Sequence, residues 1–158
     1  EGKPYDRVIA DFPDPNNTEI GKLYTAEFYR LLTQHLSGDG YVITQATSPY
    51  WATTSFWCIE QTIASVHPPR SRRETLYTHP LHAQVPSLSD WGFVLAATRP
   101  IDIDDWTLEV PTDYLTPRQF RTHFVFPKDM KRESVEVNHI DSQVLVRYYA
   151  EDWEHARY

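Results

Sequence analysis

Asp11 and Asp14 are the two side chains of this sequence best placed to do chemistry together. They close the stretch Tyr5-Asp6-Arg7-Val8-Ile9-Ala10-Asp11-Phe12-Pro13-Asp14-Pro15, where a short apolar run stops at carboxylates and prolines, with Asn16-Asn17 after them. A carboxylate pair at this spacing can take a proton from a nucleophile or hold a cation. Neighbouring carboxylates also raise one another's pKa, which makes a better base. Pro13 and Pro15 fix φ and donate no backbone hydrogen bond, so the loop is stiff and holds the pair in place. An apolar run that ends at turn residues reads as a buried parallel strand, and open α/β sheets bind ligands just beyond the carboxyl ends of their strands. The plainer alternative is that Asp11 only ends a strand and Asp14 caps the next helix.

The elements around the pair follow from periodicity. Asn16, Asn17 and Thr18 offer N-caps, and Ile20, Leu23, Tyr24, Phe28, Leu31, Leu32 and Leu36 fall at helical spacing, which predicts a helix over residues 18–36. Ser37-Gly38-Asp39-Gly40 breaks it, and residues 41–47 form a β-rich run. Ser48 and Pro49 open a second helix over residues 49–66. An exposed basic loop follows, in which Arg70, Arg72 and Arg73 are either solvated or phosphate-binding. Residues 81–85 and 91–97 read as an antiparallel hairpin joined by a short loop. Asp102, Asp104 and Asp105 mark a turn, Thr116-Pro117 opens a short helix reaching Phe124, and Val144-Leu145-Val146-Arg147-Tyr148-Tyr149 is a strand or a docked segment. The order strand, helix, strand, helix, strand, strand describes an α/β fold whose parallel strands are finished by an antiparallel edge hairpin.

Composition narrows the function classes. A chain of 158 residues makes one domain with a real core. The net charge of −7 argues against a nucleic-acid partner and suits a cationic small molecule. No apolar run reaches the ~20 residues of a membrane span, and the N-terminus carries no signal-peptide pattern. The single cysteine, Cys58, reads as a buried apolar residue, and its being alone fits a reducing, cytoplasmic setting. Gly2, Gly21, Gly38, Gly40 and Gly92 form no phosphate-binding loop, no serine-nucleophile elbow is present, and the seven histidines show no metal-ligand spacing and read as surface or loop residues.

These residues, in this order, resemble the polyamine aminopropyltransferases (spermidine synthases). The likeness rests on the Tyr5-to-Pro15 segment, Leu23-Tyr24 and Phe28-Tyr29, the strand from Gly40 to Gln45, Ser48-Pro49, Pro86-Ser87 and Trp91-Gly92-Phe93. Residues 124–129 and 144–149 look like a bacterial branch whose members are often fused to an N-terminal membrane-spanning segment. The resemblance covers residues 4–153 and implies a Rossmann-like, class I methyltransferase-type three-layer sheet of which this chain holds the C-terminal half: an α/β core over 1–99 and a C-terminal extension over 100–158. The family's N-terminal β-domain, its Gly-rich loop and its ribose-binding acid are expected before Tyr5. One departure stands out: Val85 occupies a position where many members carry a tyrosine that helps hold the amine.

The implied reaction moves an aminopropyl group from decarboxylated S-adenosylmethionine to putrescine, with no metal. Asp11 is then the general base and, with Pro15, a contact to the sulfonium co-substrate; Asp14 binds the cationic amine or orients Asp11. Gln45 either accepts from the substrate ammonium or bonds nearby backbone. Tyr50 and Trp51 wall the methylene chain or belong to the core. Ser87, Asp90 and Trp91 lie on the loop that closes the pocket, although Asp90 also reads as a plain turn residue. A homodimer is expected through the edge that the first strand leaves bare. The competing readings are a methyltransferase using intact S-adenosylmethionine and a polyamine-binding domain without turnover.

Overall fold

The strand leading into the carboxylate loop forms as β1 (Tyr5–Ala10). The structure is a computed structural model that describes residues 3–68 and 75–155; the basic loop with Arg70, Arg72 and Arg73 lies outside the described residues. β1 pairs in parallel with β2 (Leu36–Gln45), and the hairpin forms as β3 (Tyr77–Val85) and β4 (Ser89–Ala97). The sheet order is β1-β2-β4-β3, with β4 antiparallel to both of its neighbours. The hairpin therefore folds back, so that its second strand contacts the parallel pair and its first takes the edge. Pro80 is tolerated in β3 because an edge strand can leave a missing N–H facing outward.

β1 differs from expectation. It is the other edge among the described residues, and it is half-buried rather than buried: Ala10 enters the core and Val8 packs against it, while Ile9 is 81% exposed. Alternation along an edge strand places one side chain of every two on the less covered face.

The single helix expected over 18–36 is two. α1 (Thr18–Gly21) is capped by Asn17, whose side chain accepts from the N–H groups of Glu19 and Ile20. A 3-10 turn (Lys22–Tyr24) follows, and extended Thr25 then restarts the helix as α2 (Ala26–Thr33) by accepting from the N–H of Phe28. The break is tertiary in origin, since the Ala26 N–H donates to the Asn138 carbonyl at 2.9 Å. Leu36 belongs to β2, and the expected breaker at 37–40 is an outward loop within that strand: Tyr5 pairs with Leu36 but Arg7 pairs with Tyr41.

α3 (Thr53–Ala64) starts later than predicted, because Ser48 caps a separate turn through the N–H groups of Tyr50 and Trp51. It is buried along almost its whole length against the sheet and the C-terminal extension. Cys58 is buried in it as expected, with burial pushing its thiol up to about 12. Beyond β4, α4 (Pro117–Thr122) carries a capping box between Thr116 and Gln119.

The segment from Val144 is a helix, α5 (Val144–His155), rather than a strand. Its apolar start satisfies helical geometry because Val144 and Leu145 enter the core together and Tyr148 packs one turn later. α5 is fixed at two points. Asp152 accepts from the N–H and hydroxyl of Ser55 at 2.9 and 2.7 Å, which places a carboxylate at the N-terminus of α3. Asn138, fully buried, donates to the carbonyls of Gly21 and Tyr24 and accepts from the Leu145 N–H. Gly21 allows the close approach: a Cβ there would sit 2.7 Å from Val146 and 2.5 Å from Gln143.

Candidate functional site

The loop after β1 is braced from below. The Gln45 amide donates to the Phe12 carbonyl at 2.8 Å and to the Tyr24 hydroxyl, which itself donates to the Pro13 carbonyl at 3.0 Å. Tyr24 is fully buried, and burial raises its phenol pKa, so the hydroxyl keeps its proton and remains a donor. Past Asp14, the Asn16 N–H donates to the Asp14 carbonyl at 2.7 Å across Pro15, a turn for which proline's fixed φ is suited. Pro15 is buried and shapes this turn.

The loop, the hairpin loop and α5 line an open cleft of about 890 Å³, within the usual range for small-molecule sites. Asp14, Trp51, Ser87 and Trp91 line it, together with Asn16, Gln84, Tyr149 and Trp153. One carboxylate among aromatic faces suits a cation on an apolar stem, through charge, cation–π attraction and stacking of the methylenes. Asp14 is half-buried and accepts from the Tyr149 hydroxyl at 2.8 Å through Oδ2. Burial raises its pKa, with the Tyr149 bond and the neighbouring Gln45 and Thr47 side chains pulling the other way. Oδ1 is buried and has no hydrogen-bond partner among the described residues.

The other predicted residues sit elsewhere. Asp11 is exposed at the start of the loop and does not line the cleft. Tyr50 turns to a second cavity, beside Asp129, Glu133 and Asp152. The Gln45 Oε1, expected to receive an ammonium or to bond nearby backbone, accepts from the Thr47 N–H at 3.0 Å, so this side chain serves the local backbone. Asp90 pairs with His82 across the hairpin, Nδ1 to Oδ1 at 2.8 Å, and the far side of the ring meets the Val125 carbonyl at 2.9 Å. Both partners are acceptors, so His82 bonds both when each ring nitrogen carries hydrogen. His79 and His82 thus lie in β3 rather than in a loop or on the surface.

Thr47, Tyr149 and Trp153 were not singled out in the sequence. Thr47 is buried in the left-handed region at φ 59°, which costs a β-branched residue about 1–3 kcal/mol. Its N–H is held by Gln45 and its carbonyl by the Gly92 N–H at 2.7 Å, and the resulting bend presents the turn that carries Trp51. Tyr149 and Trp153 stand one helical turn apart on α5, a spacing legible only once the segment is read as a helix.

Comparison with known proteins bears on this arrangement. The profile of the spermine/spermidine synthase domain matches residues 2–116. Polyamine aminopropyltransferase 2 of Ralstonia nicotianae is 46% identical over 151 residues, 94% of this chain and 28% of that protein. The polyamine aminopropyltransferase of Leptospira interrogans is 43% identical over 151 residues, again 94% of this chain and 28% of the relative. The chain thus spans a little over a quarter of the length of these curated relatives. Among solved structures, a spermidine synthase in complex with the transition-state analogue AdoDATO superposes with a TM-score of 0.65 at 21% identity, over 81% of this chain and 45% of that one. The shared fold is the Rossmann-like α/β sheet.

Proposed function

Because this chain belongs to the spermine/spermidine synthase family, we propose that the full-length protein carrying it moves an aminopropyl group from decarboxylated S-adenosylmethionine to putrescine, giving spermidine and methylthioadenosine. The observation that carries this reading is the cleft: a half-buried carboxylate, Asp14, between the rings of Trp51, Trp91, Tyr149 and Trp153. An alkylamine is protonated at neutral pH and cannot attack, so the site must both hold it and take a proton. In this reading Asp14 holds the ammonium and Asp11 takes the proton. The freed lone pair bonds to the methylene carbon beside the sulfonium, the carbon–sulfur bond breaks, and its electron pair neutralises the sulfur. Positive charge on the leaving group already activates it, so positioning and proton removal carry the acceleration.

We read the chain as one unit of a larger catalytic domain, its α/β core over residues 1–99 and its extension over 100–158. The rest of that domain supplies contacts to the nucleoside, since the sequence here contains no phosphate-binding glycine loop. For the isolated chain, the outer side of β1, unpaired among the described residues, and the 81% exposure of Ile9 support pairing with a second copy. No helix among the described residues is long and apolar enough to cross a membrane.

The test is product analysis by mass spectrometry on the full-length protein with putrescine and decarboxylated S-adenosylmethionine. Spermidine and methylthioadenosine are expected. Methylated amine from intact S-adenosylmethionine would replace this reading with methyl transfer, and diamine binding without product would replace it with a binding role.

A further inference from the structure

We propose that α5 is a working part of the amine site, with Tyr149 a positioning residue that holds the Asp14 carboxylate by Oδ2 against a cationic primary amine lying among Trp51, Trp91 and Trp153. The proposal rests on the transferase reading above and deepens it: the C-terminal extension, beyond the matched domain profile that ends at residue 116, supplies a wall of the site and sets its central carboxylate.

Three observations carry it. First, α5 is anchored independently of Asp14, by Asp152 on Ser55 at one point and by Asn138 on Leu145, Gly21 and Tyr24 at another. The 2.8 Å bond from Tyr149 to Asp14 is therefore not needed to dock the helix. Second, that bond satisfies only one carboxylate oxygen. Oδ1 has no hydrogen-bond partner among the described residues, which leaves the carboxylate with acceptor capacity that docking of α5 does not use. Third, the rings that line the cleft with Asp14 come from three places in the chain, the turn after β2, the hairpin and α5. A primary ammonium on a methylene chain matches that lining: one anion at the end, aromatic faces along the stem.

Asp14 is faced by Tyr149 from α5 and by Tyr24 from the 3-10 turn; Gln45 and Thr47 are neutral, Asp11 of the same loop lies outside the cleft, and the hairpin residues lining the cleft carry no ionisable group. Among these neighbours the Tyr149 hydroxyl is the foremost influence holding the Asp14 pKa down against burial. Removing it must push that pKa further up and move the acidic limb of the pH–rate profile to higher pH. A helix that merely docks would not move that limb.

The experiment is steady-state kinetics on the full-length protein, wild type beside Tyr149→Phe, with putrescine varied across acid to alkaline pH. The expected result is a KM for putrescine raised about tenfold, kcat changed much less, and an acidic limb shifted to higher pH. An active wild type and a Phe variant with unchanged KM and unchanged limb would overturn the proposal and leave the transferase reading standing. A wild type that makes no spermidine would overturn both. If Tyr149→Phe fails to fold, Trp153→Leu decides: a raised KM for putrescine supports the proposal, an unchanged one overturns it.

Discussion

Asp14 carries a cost that the fold alone does not require. Burial raises its pKa, so folding favours its protonated form relative to the unfolded chain, yet holding a cation requires the anion. The sign of the linkage follows: the folded state binds this proton more tightly than the unfolded chain, so the contribution to stability is present at acid pH and is lost as pH rises through the raised pKa. Asp14→Asn cannot ionise and keeps an oxygen for the Tyr149 hydroxyl. It is expected to melt above the wild type at neutral pH, with the difference closing as pH falls below the ordinary carboxylate range. Thermal unfolding at the two pH values checks this, and a variant less stable at neutral pH would contradict it. Asp14 was legible in the sequence because two prolines and the end of an apolar run flag its loop. Its donor was not, because Tyr149 lies 135 positions away and pairs with it only through the path of α5.

At the scale of elements, the turn after β2 and the hairpin are stitched together at Gly92. Its N–H donates to the Thr47 carbonyl at 2.7 Å, and its carbonyl accepts from the Ala46 N–H at 2.8 Å. A Cβ there would lie 2.5 Å from two Phe56 ring carbons and 2.8 Å from the Thr47 carbonyl. Gly92→Ala must therefore displace a packed ring or the strained Thr47 turn, and a destabilisation of about 1–3 kcal/mol is expected, read as a fall in Tm of roughly 3–10 °C. An unchanged Tm would show that the contact is looser than this geometry. The hairpin was legible because both of its strands and the Pro86-Ser87 loop are local signals. The helix expected over 18–36 was misread for the opposite reason: its apolar spacing is continuous, and what breaks it at Thr25 is the distant Asn138 carbonyl. Val144-Leu145-Val146 likewise looks like a strand until Asn138 and Asp152 hold it as a helix.

Across the whole molecule the two edges of the sheet differ. β3 carries Pro80, which discourages pairing, whereas β1 has neither a proline nor a paired neighbour on its outer side among the described residues. Tyr5 and Ile9 stand 61% and 81% exposed there. The chain is therefore expected to sediment as a dimer at micromolar concentration and to become monomeric with Ile9→Lys; a wild-type monomer under those conditions would contradict pairing through β1. Asp14 lines the cleft, while Asp11 is exposed at the start of the loop and lies outside it. The division of labour between the two carboxylates is the central claim, and the most direct measurement of it is the rate of spermidine formation by the full-length protein with Asp11→Asn at saturating putrescine. A loss of roughly 10²-fold or more in kcat, with the KM for putrescine little changed, is the predicted result; a variant that turns over at the wild-type rate would contradict the assignment of Asp11 as the base.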